Sequence, residues 1–375
     1  MVYLDYSATT PVDDEVLNTF CKVNKDFIGN ANSIHKLGFE SKRLMEQATN
    51  QVANLLKVKN EEVIFTSGST EANNLAVLGT IDYYKNRGKQ IITTSLEHSS
   101  VKDTLSYLKD SYDIKTVSLL EDGTIDLNSL EELLKTDTTL VTICYVNSET
   151  GILQPIKQII EIVKRYPRTI LHVDATQAVG KIPVCLDNID LFSFSAHKFY
   201  GLKGIGCLIK KENINLTPII HGGKSQTIYR SGTPALALIV SMAKALRIAI
   251  EKLPNNLKKV EENNNLLLNE LKKLPYVIIN SNEKSIPHIV NISILNVKPE
   301  TMIHALEKYD IYISTQTACS TTLEPSSVLL SLNKSMEIAK SSLRISISHL
   351  TTKDEIMFFI EKLKECYNAL EFEKR

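Results

Sequence analysis

The stretch Asp190-Leu191-Phe192-Ser193-Phe194-Ser195-Ala196-His197-Lys198 decides how this chain reads. Its first five residues alternate and are rich in β-formers, so they predict a strand. Past the strand come a small residue, a histidine and Lys198, and then Gly201, Gly204 and Gly206 break regular structure. Upstream, Ile170-Leu171-His172-Val173 is a second short apolar strand, and it runs out at Asp174. A lysine and an aspartate alone would most simply be a surface pair. Their meaning depends on what the other strands carry.

From about residue 60 to 210, strand-like runs alternate with helical ones. Glu62–Phe65, Gln90–Thr94, Leu140–Tyr145 and Ile170–Val173 are short, apolar and β-branched, with helical segments such as 70–79 and 156–164 between them. The alternation predicts an α/β fold with a mainly parallel sheet. In such sheets ligands bind beyond the carboxyl ends of the strands.

Those ends are polar in this chain. Phe65 leads into Thr66-Ser67-Gly68-Ser69-Thr70-Glu71, where the amides of a helix start and the Ser69 and Thr70 hydroxyls could cradle a phosphate. The same letters also suit a plain helix cap. Thr94 leads to Glu97-His98, and His98 could stack on a ring or shuttle protons. Val146 leads to Asn147, a neutral donor, while Asp174 is followed by Gln177. A cradle, a histidine, an asparagine, an aspartate and a lysine on five strand ends describe a planar, phosphorylated, nitrogen-containing cofactor. Pyridoxal 5'-phosphate fits, because it needs a Schiff-base lysine and a carboxylate that keeps its pyridine nitrogen protonated.

Composition agrees with an enzyme of ordinary type. The chain has 375 residues, 43% hydrophobic and 23% charged, with 43 basic and 43 acidic residues. Zero net charge gives no electrostatic case for direct nucleic-acid or membrane partners. The N-terminus shows no signal pattern and no apolar run is long enough to span a bilayer, so a cytoplasmic protein is expected. The six cysteines show no zinc-like spacing, and no metal is expected. Cys144, Cys207 and Cys366 fall in strand or helix patterns and read as buried, inert thiols. Cys319 lies instead in a polar Ser/Thr stretch, which predicts an exposed loop.

A long helical pattern begins near Ala235, is interrupted by Pro254, and resumes through Leu257 and Val260 to Leu266–Leu268, with 263–265 expected as a solvated break. Strands are expected near 276–280, 288–294 and 343–348, and then an amphipathic helix through Ile356, Phe359, Ile360 and Leu363. The expected division is a large cofactor-binding domain at 14–250, and a smaller α+β domain made of 1–13 plus 251–375 that carries the Cys319 loop.

On Tyr3-Leu4-Asp5-Tyr6-Ser7-Ala8-Thr9-Thr10-Pro11, Thr66–Glu71, Glu97-His98, Val173–Gln177, Phe194–Lys198, Arg230-Ser231-Gly232-Thr233, Ala318-Cys319-Ser320 and Leu323–Ser326, the chain resembles the cysteine desulfurases. These are pyridoxal-phosphate enzymes of the class V aminotransferase fold, which is aspartate aminotransferase-like. The resemblance runs nearly end to end. It implies that Lys198 holds the cofactor, Asp174 pairs with its pyridinium nitrogen, and Gln177 bonds its phenolic oxygen. His98 would stack on the ring and move protons. Ser69, Thr70, Ser195 and His197 would bind the phosphate, with Thr233 reaching in from the partner subunit of a homodimer. Asn147 and Arg344 would hold L-cysteine, Arg344 by a bidentate grip on its carboxylate. Cys319 would be the nucleophile, leaving alanine and a persulfide that passes to an acceptor protein.

The chain departs from the family pattern at Ala31, where proline is usual and whose absence should loosen the turn. It also departs at Thr317 and in a segment 319–324 that is one residue short. It ends soon after its last helix. A tRNA- or thiamine-thiolating acceptor therefore stands beside an iron–sulfur scaffold. Two other readings are a class V aminotransferase or lyase acting on another amino acid, which Cys319 opposes, and a non-catalytic scaffold of the same fold. A dinucleotide site is disfavoured, because no G-x-G-x-x-G follows an early strand.

Overall fold

Strands whose two faces are both apolar need cover on both sides, and here they get it. The computed structural model describes residues 1–223, 226–316 and 324–372. Seven strands form one sheet, in the order Val63–Thr66, Gly206–Lys210, Leu191–Ser195, Ile170–Asp174, Thr138–Cys144, Gln90–Thr93 and Asp113–Thr116. Gly206–Lys210 runs antiparallel to its two neighbours and the other six strands run parallel to one another. All but the edge strand Asp113–Thr116 are buried along their length, as the near-continuous apolar runs require. Because the six strands share a direction, their carboxyl ends open on one edge, and the polar residues noted above collect there.

Helix Ser69–Tyr83 covers one face of the sheet. Ala72, Leu75, Ala76 and Val77 pack inward with Ile64, Ile91 and Leu140. The other face carries a larger core that includes Phe65, Val141, Phe192, Phe194 and Leu246. Each fully buried aliphatic or aromatic side chain there contributes roughly 1.5–3 kcal/mol.

A second core lies around the antiparallel strands Val277–Ile279, Ile289–Ile294 and Ser342–Ser346. Val2 and Leu4 of the N-terminal segment join it, as do Ile356, Phe359 and Ile360 of the last helix, Lys353–Phe372. Strand Val2–Tyr3 pairs in parallel with Ile311–Tyr312.

The connecting helix corrects one expectation. Leu236–Leu271 is a single helix with Pro254 inside it, and 263–265 is no break. Ala237–Ala249 supply residues to the first core and Val260, Leu267 and Leu271 to the second, so burial at both ends outweighs the roughly 3 kcal/mol that an internal proline costs. Asn263 is itself buried and donates to the Thr351 carbonyl at 2.7 Å. The turn at Ala31 is also closed without proline. Ser33 N donates to Asn30 O at 2.9 Å and Asn32 N to Asn30 Oδ1 at 3.0 Å.

Candidate active site

The strand ends surround a cavity of about 300 Å³, lined by Ser7, Ala8, Ser69, Thr70, Leu96, His98, Cys144, Val146, Ser148, Asp174, Thr176, Gln177, His197, Lys198 and Arg344. Nine of the residues singled out from sequence are thereby accounted for at or beside it. Eight line it directly: Ser69, Thr70, His98, Asp174, Gln177, His197, Lys198 and Arg344. Arg344 arrives from the second core, and Ser195 lies just beneath.

At one end is the start of helix Ser69–Tyr83, whose first-turn amides lack intrahelical acceptors. The neighbouring strand passes close under it: a side chain at Gly206 would fall 2.7 Å from Gly68 Cα. Glu71 closes the turn by accepting from Ser67 N at 2.7 Å, and it holds Arg230 Nε at 2.9 Å. Burial works against its ionisation, yet Arg230 and the Ser67 amide together keep the Glu71 carboxyl below its ordinary value. The Arg230–Thr233 loop is thus tied to the cradle. Thr233 itself is exposed and does not line the cavity of this chain.

Asp174 stands at the last position of its strand. Its Oδ2 accepts from Asn73 Nδ2 at 2.7 Å, and its Oδ1 accepts from Thr176 N at 3.0 Å and Thr176 Oγ1 at 2.5 Å. His98 caps helix Ser99–Leu108, with Nδ1 accepting from Ser100 N at 3.1 Å. Burial lowers its pKa, against the pull of Asp174, which favours the neutral imidazole. His197 Nδ1 lies 3.2 Å from Thr9 Oγ1, and burial together with Lys198 lowers its pKa to about 4.

Lys198 Nζ donates to the carbonyls of Ser7 at 2.6 Å and Ala8 at 2.8 Å. Those carbonyls belong to an N-terminal strap that sequence reasoning left without a role. The strap also accepts from Gln177 Nε2 through Ser7 O at 3.0 Å, and Asp5 Oδ1 accepts from Arg344 Nη2 at 2.9 Å. Its sequence signal was the Tyr3–Pro11 motif, which entered above only as part of the family resemblance.

Asn147 stands apart from its expected role. Its side chain is buried and builds its own loop: Oδ1 accepts from Glu149 N, Thr150 N and Thr150 Oγ1, and Nδ2 donates to Leu96 O at 2.9 Å. Its neighbours Val146 and Ser148 line the cavity instead. Cys144 also faces the cavity, but burial, with Glu97 and Asp174 nearby, raises its pKa well above the ordinary thiol value and leaves it inert. Cys319 lies outside the described residues, as do Thr317 and the rest of 317–323.

An amine, a carboxylate and an anion-binding helix start lining one cavity form the donor set that pyridoxal phosphate needs, and the cavity suits its size. Fold and site together define a class-V aminotransferase, and the profile of the family described as Aminotransferase class-V matches residues 2–359. Members of this class work with pyridoxal phosphate. The chain is 40% identical over 379 aligned residues to "Cysteine desulfurase IscS" of Buchnera aphidicola subsp. Acyrthosiphon pisum, covering 98% of this chain and 93% of that protein. It matches the protein of the same name from Salmonella typhi equally well, at 40% identity with the same coverage. Among solved structures, a "NIFS-like protein" superposes with a TM-score of 0.93 at 35% identity, covering 98% of this chain and 99% of that one. A NifS-like protein from Rickettsia africae gives 0.88 at 31% identity, with 98% and 99% covered. Within its class, the chain belongs to the cysteine desulfurase family.

Proposed function

We propose that the enzyme takes sulfur from L-cysteine at the cavity described above and carries it on Cys319 as a persulfide for delivery to an acceptor protein. The observation that carries this reading is the convergence of Lys198, Asp174, His98 and the Ser69–Thr70 helix start on one cavity. When bound, pyridoxal phosphate supplies an electron sink for the substrate carbon attached to nitrogen.

The chain's own residues do the rest. Lys198 would anchor the cofactor, and its amine would take or return a proton at the substrate carbon. Asp174, held by Asn73 and Thr176, would pair with the pyridine nitrogen, and His98 would cover the ring and accept a proton. Ser69, Thr70, Ser195 and His197 hold the phosphate, and Thr233 of a second copy completes that grip in a homodimer. Arg344 receives the substrate carboxylate. The Cys319 thiolate attacks the sulfur of bound cysteine. An S–S bond forms, the C–S bond breaks with its electron pair passing to carbon, and a proton on that carbon gives alanine. No external oxidant or reductant enters until the persulfide is delivered.

The division into a 14–250 domain and a 1–13 plus 251–375 domain is supported by two large cores drawn mostly from one side of it each, with Ile286 and Ile289 crossing into the first and Leu236–Leu271 bridging them. An iron–sulfur scaffold is the proposed acceptor, supported by the full-length likeness to the IscS proteins. Among the described residues no helix is long and apolar enough to cross a membrane, and cytoplasmic action is proposed.

Purified with pyridoxal phosphate, the protein should be yellow, and Lys198→Ala should lose the visible band; an unchanged spectrum would mean another lysine. With cysteine and a thiol reductant it should release alanine and sulfide in equal amounts. A keto acid product would favour transamination instead. Cys319→Ala should bind cysteine and change colour without releasing sulfide, and full activity in that variant would sink the persulfide step. Capture of a thiolation enzyme in place of a scaffold would redirect the acceptor assignment.

A further inference from the structure

Lys181 is a buried lysine with an unusual neighbourhood. It is 6% exposed, and among the described residues no carboxylate lies within ion-pair distance of it. The charged groups that act on it are Lys198 and Arg344, both cations. Burying an amine among cations is costly unless a specific contact requires it. The contact is with Gln177: Lys181 Nζ donates to Gln177 Oε1 at 2.5 Å. The turn between them is built for it. Gly180 has φ +76°, and a Cβ there would fall 2.6 Å from Phe199 Cβ, so the chain can double back under the cavity only with glycine at this position.

We propose that Lys181 is a positioning residue that fixes the polarity of the Gln177 amide, so that Gln177 presents an N–H donor, and never an acceptor, to the cofactor's ring oxygen. The inference rests on the cofactor reading above. A backbone carbonyl can only accept, so the atom of Gln177 facing Ser7 O at 3.0 Å is the nitrogen. The oxygen is then turned to Lys181, which donates whether or not it carries a charge. Burial, aided by Lys198 and Arg344, pushes its pKa well below the ordinary lysine value, and a neutral amine still has N–H bonds to give. With Oε1 satisfied from below and one N–H on Ser7 O, the second N–H is left for the cavity that Gln177 lines. Without Lys181 the amide oxygen would be buried with no donor, and the amide would turn that oxygen toward the cavity's own donors.

The test is a pH titration of the visible absorption of the cofactor-loaded protein. An N–H donor favours the unprotonated, negatively charged ring oxygen, so its loss should raise the pH midpoint. Lys181→Met, which keeps the length and removes the donor, is expected to raise it by about one unit, a tenfold change in proton affinity. Lys181→Gln, which retains an N–H donor, is expected to hold the wild-type midpoint. Lys181→Met placed on top of Gln177→Ala should add nothing to the shift of Gln177→Ala alone. An unmoved midpoint in Lys181→Met, an equal shift in Lys181→Gln, or additive shifts in the double variant overturns the proposal. Where Lys181→Met does not fold, Gln177→Glu leaves Lys181 in place and removes the N–H. It should show the same upward shift, and an unmoved midpoint there is equally fatal. Failure of the cofactor reading is separate: it would show as a visible band that survives Lys198→Ala.

Discussion

Asp5 and Arg344 come from the two ends of the chain and meet in an ion pair of 2.9 Å at the edge of the cavity, with Arg344 only 1% exposed. Arg344 Nη1 also donates to Ser148 O at 3.0 Å. The guanidinium is therefore aimed before any substrate arrives, and the N-terminal strap does part of the aiming.

Asp5→Asn should weaken this grip while keeping an acceptor. A hydrogen bond to a charged group contributes about 1.5–3 kcal/mol, so kcat/KM for cysteine is expected to fall roughly tenfold or more, mainly through KM. Steady-state kinetics decide it. A fall confined to kcat would mean that Asp5 acts on the chemistry rather than on substrate binding.

Glu97 is a buried acid whose Oε1 accepts from Thr94 Oγ1 at 2.7 Å and Cys144 N at 2.8 Å, while its Oε2 has no partner among the described residues. Burial raises its pKa to about 8. A carboxyl with a raised folded-state pKa holds its proton in the fold but loses it when unfolded. Its contribution is complete below the ordinary carboxyl pKa and is lost as pH climbs toward about 8. Glu97→Gln should therefore remove a downward contribution to Tm, so that Tm of the variant falls less than that of the wild type as pH rises toward 8. A wild-type slope in that variant, read by thermal melts across pH, would refute the assignment.

Buried histidines give the opposite trend at lower pH. Burial lowers His172, His197 and His349 to about 4, and His288 to about 3. Groups with depressed folded pKa values stabilise fully above the ordinary histidine pKa, and that contribution is lost as pH falls from near 6.5 toward 4. Stability should accordingly peak near neutral pH and fall steeply on the acid side. His288→Asn, which removes a buried ring whose Nδ1 has no partner among the described residues, should flatten part of the acid limb in a pH series of denaturant melts.

Ser326 both accepts from Leu329 N at 3.0 Å, as a helix cap, and donates to the buried Glu149 carboxylate. It stands a few positions beyond Cys319 and fastens that end of the connection to the loop that carries Ser148. Ser326→Ala should cost about 1–3 kcal/mol, because a buried acceptor is left unmatched. Sulfide release should slow by more than cysteine binding weakens. Equal losses in both would show that the contact matters only for folding.

Much of the site was legible along the chain because the sheet is nearly parallel. A parallel strand ends where its apolar run ends, so Asp174, His98, Lys198 and the Ser69–Thr70 turn could each be placed at a carboxyl end before any contact was known. Asn147 was placed by the same logic, but the side chain turned inward to close its own loop. Pro254 and 263–265 misled for a related reason: local propensity argues for a break, whereas burial in two cores holds one helix together.

The sequence alone therefore carried most of the element pattern, the pointer to a cofactor class and the family resemblance, because these depend on residue type and spacing within short segments. Only the tertiary structure decided which distant groups serve those residues. Asp5 beneath Arg344, the Ser7 and Ala8 carbonyls on Lys198, and Lys181 behind Gln177 are contacts across tens to hundreds of positions or around one glycine turn. No periodicity encodes them. They arise from how the two cores and the N-terminal strap close on the same cavity.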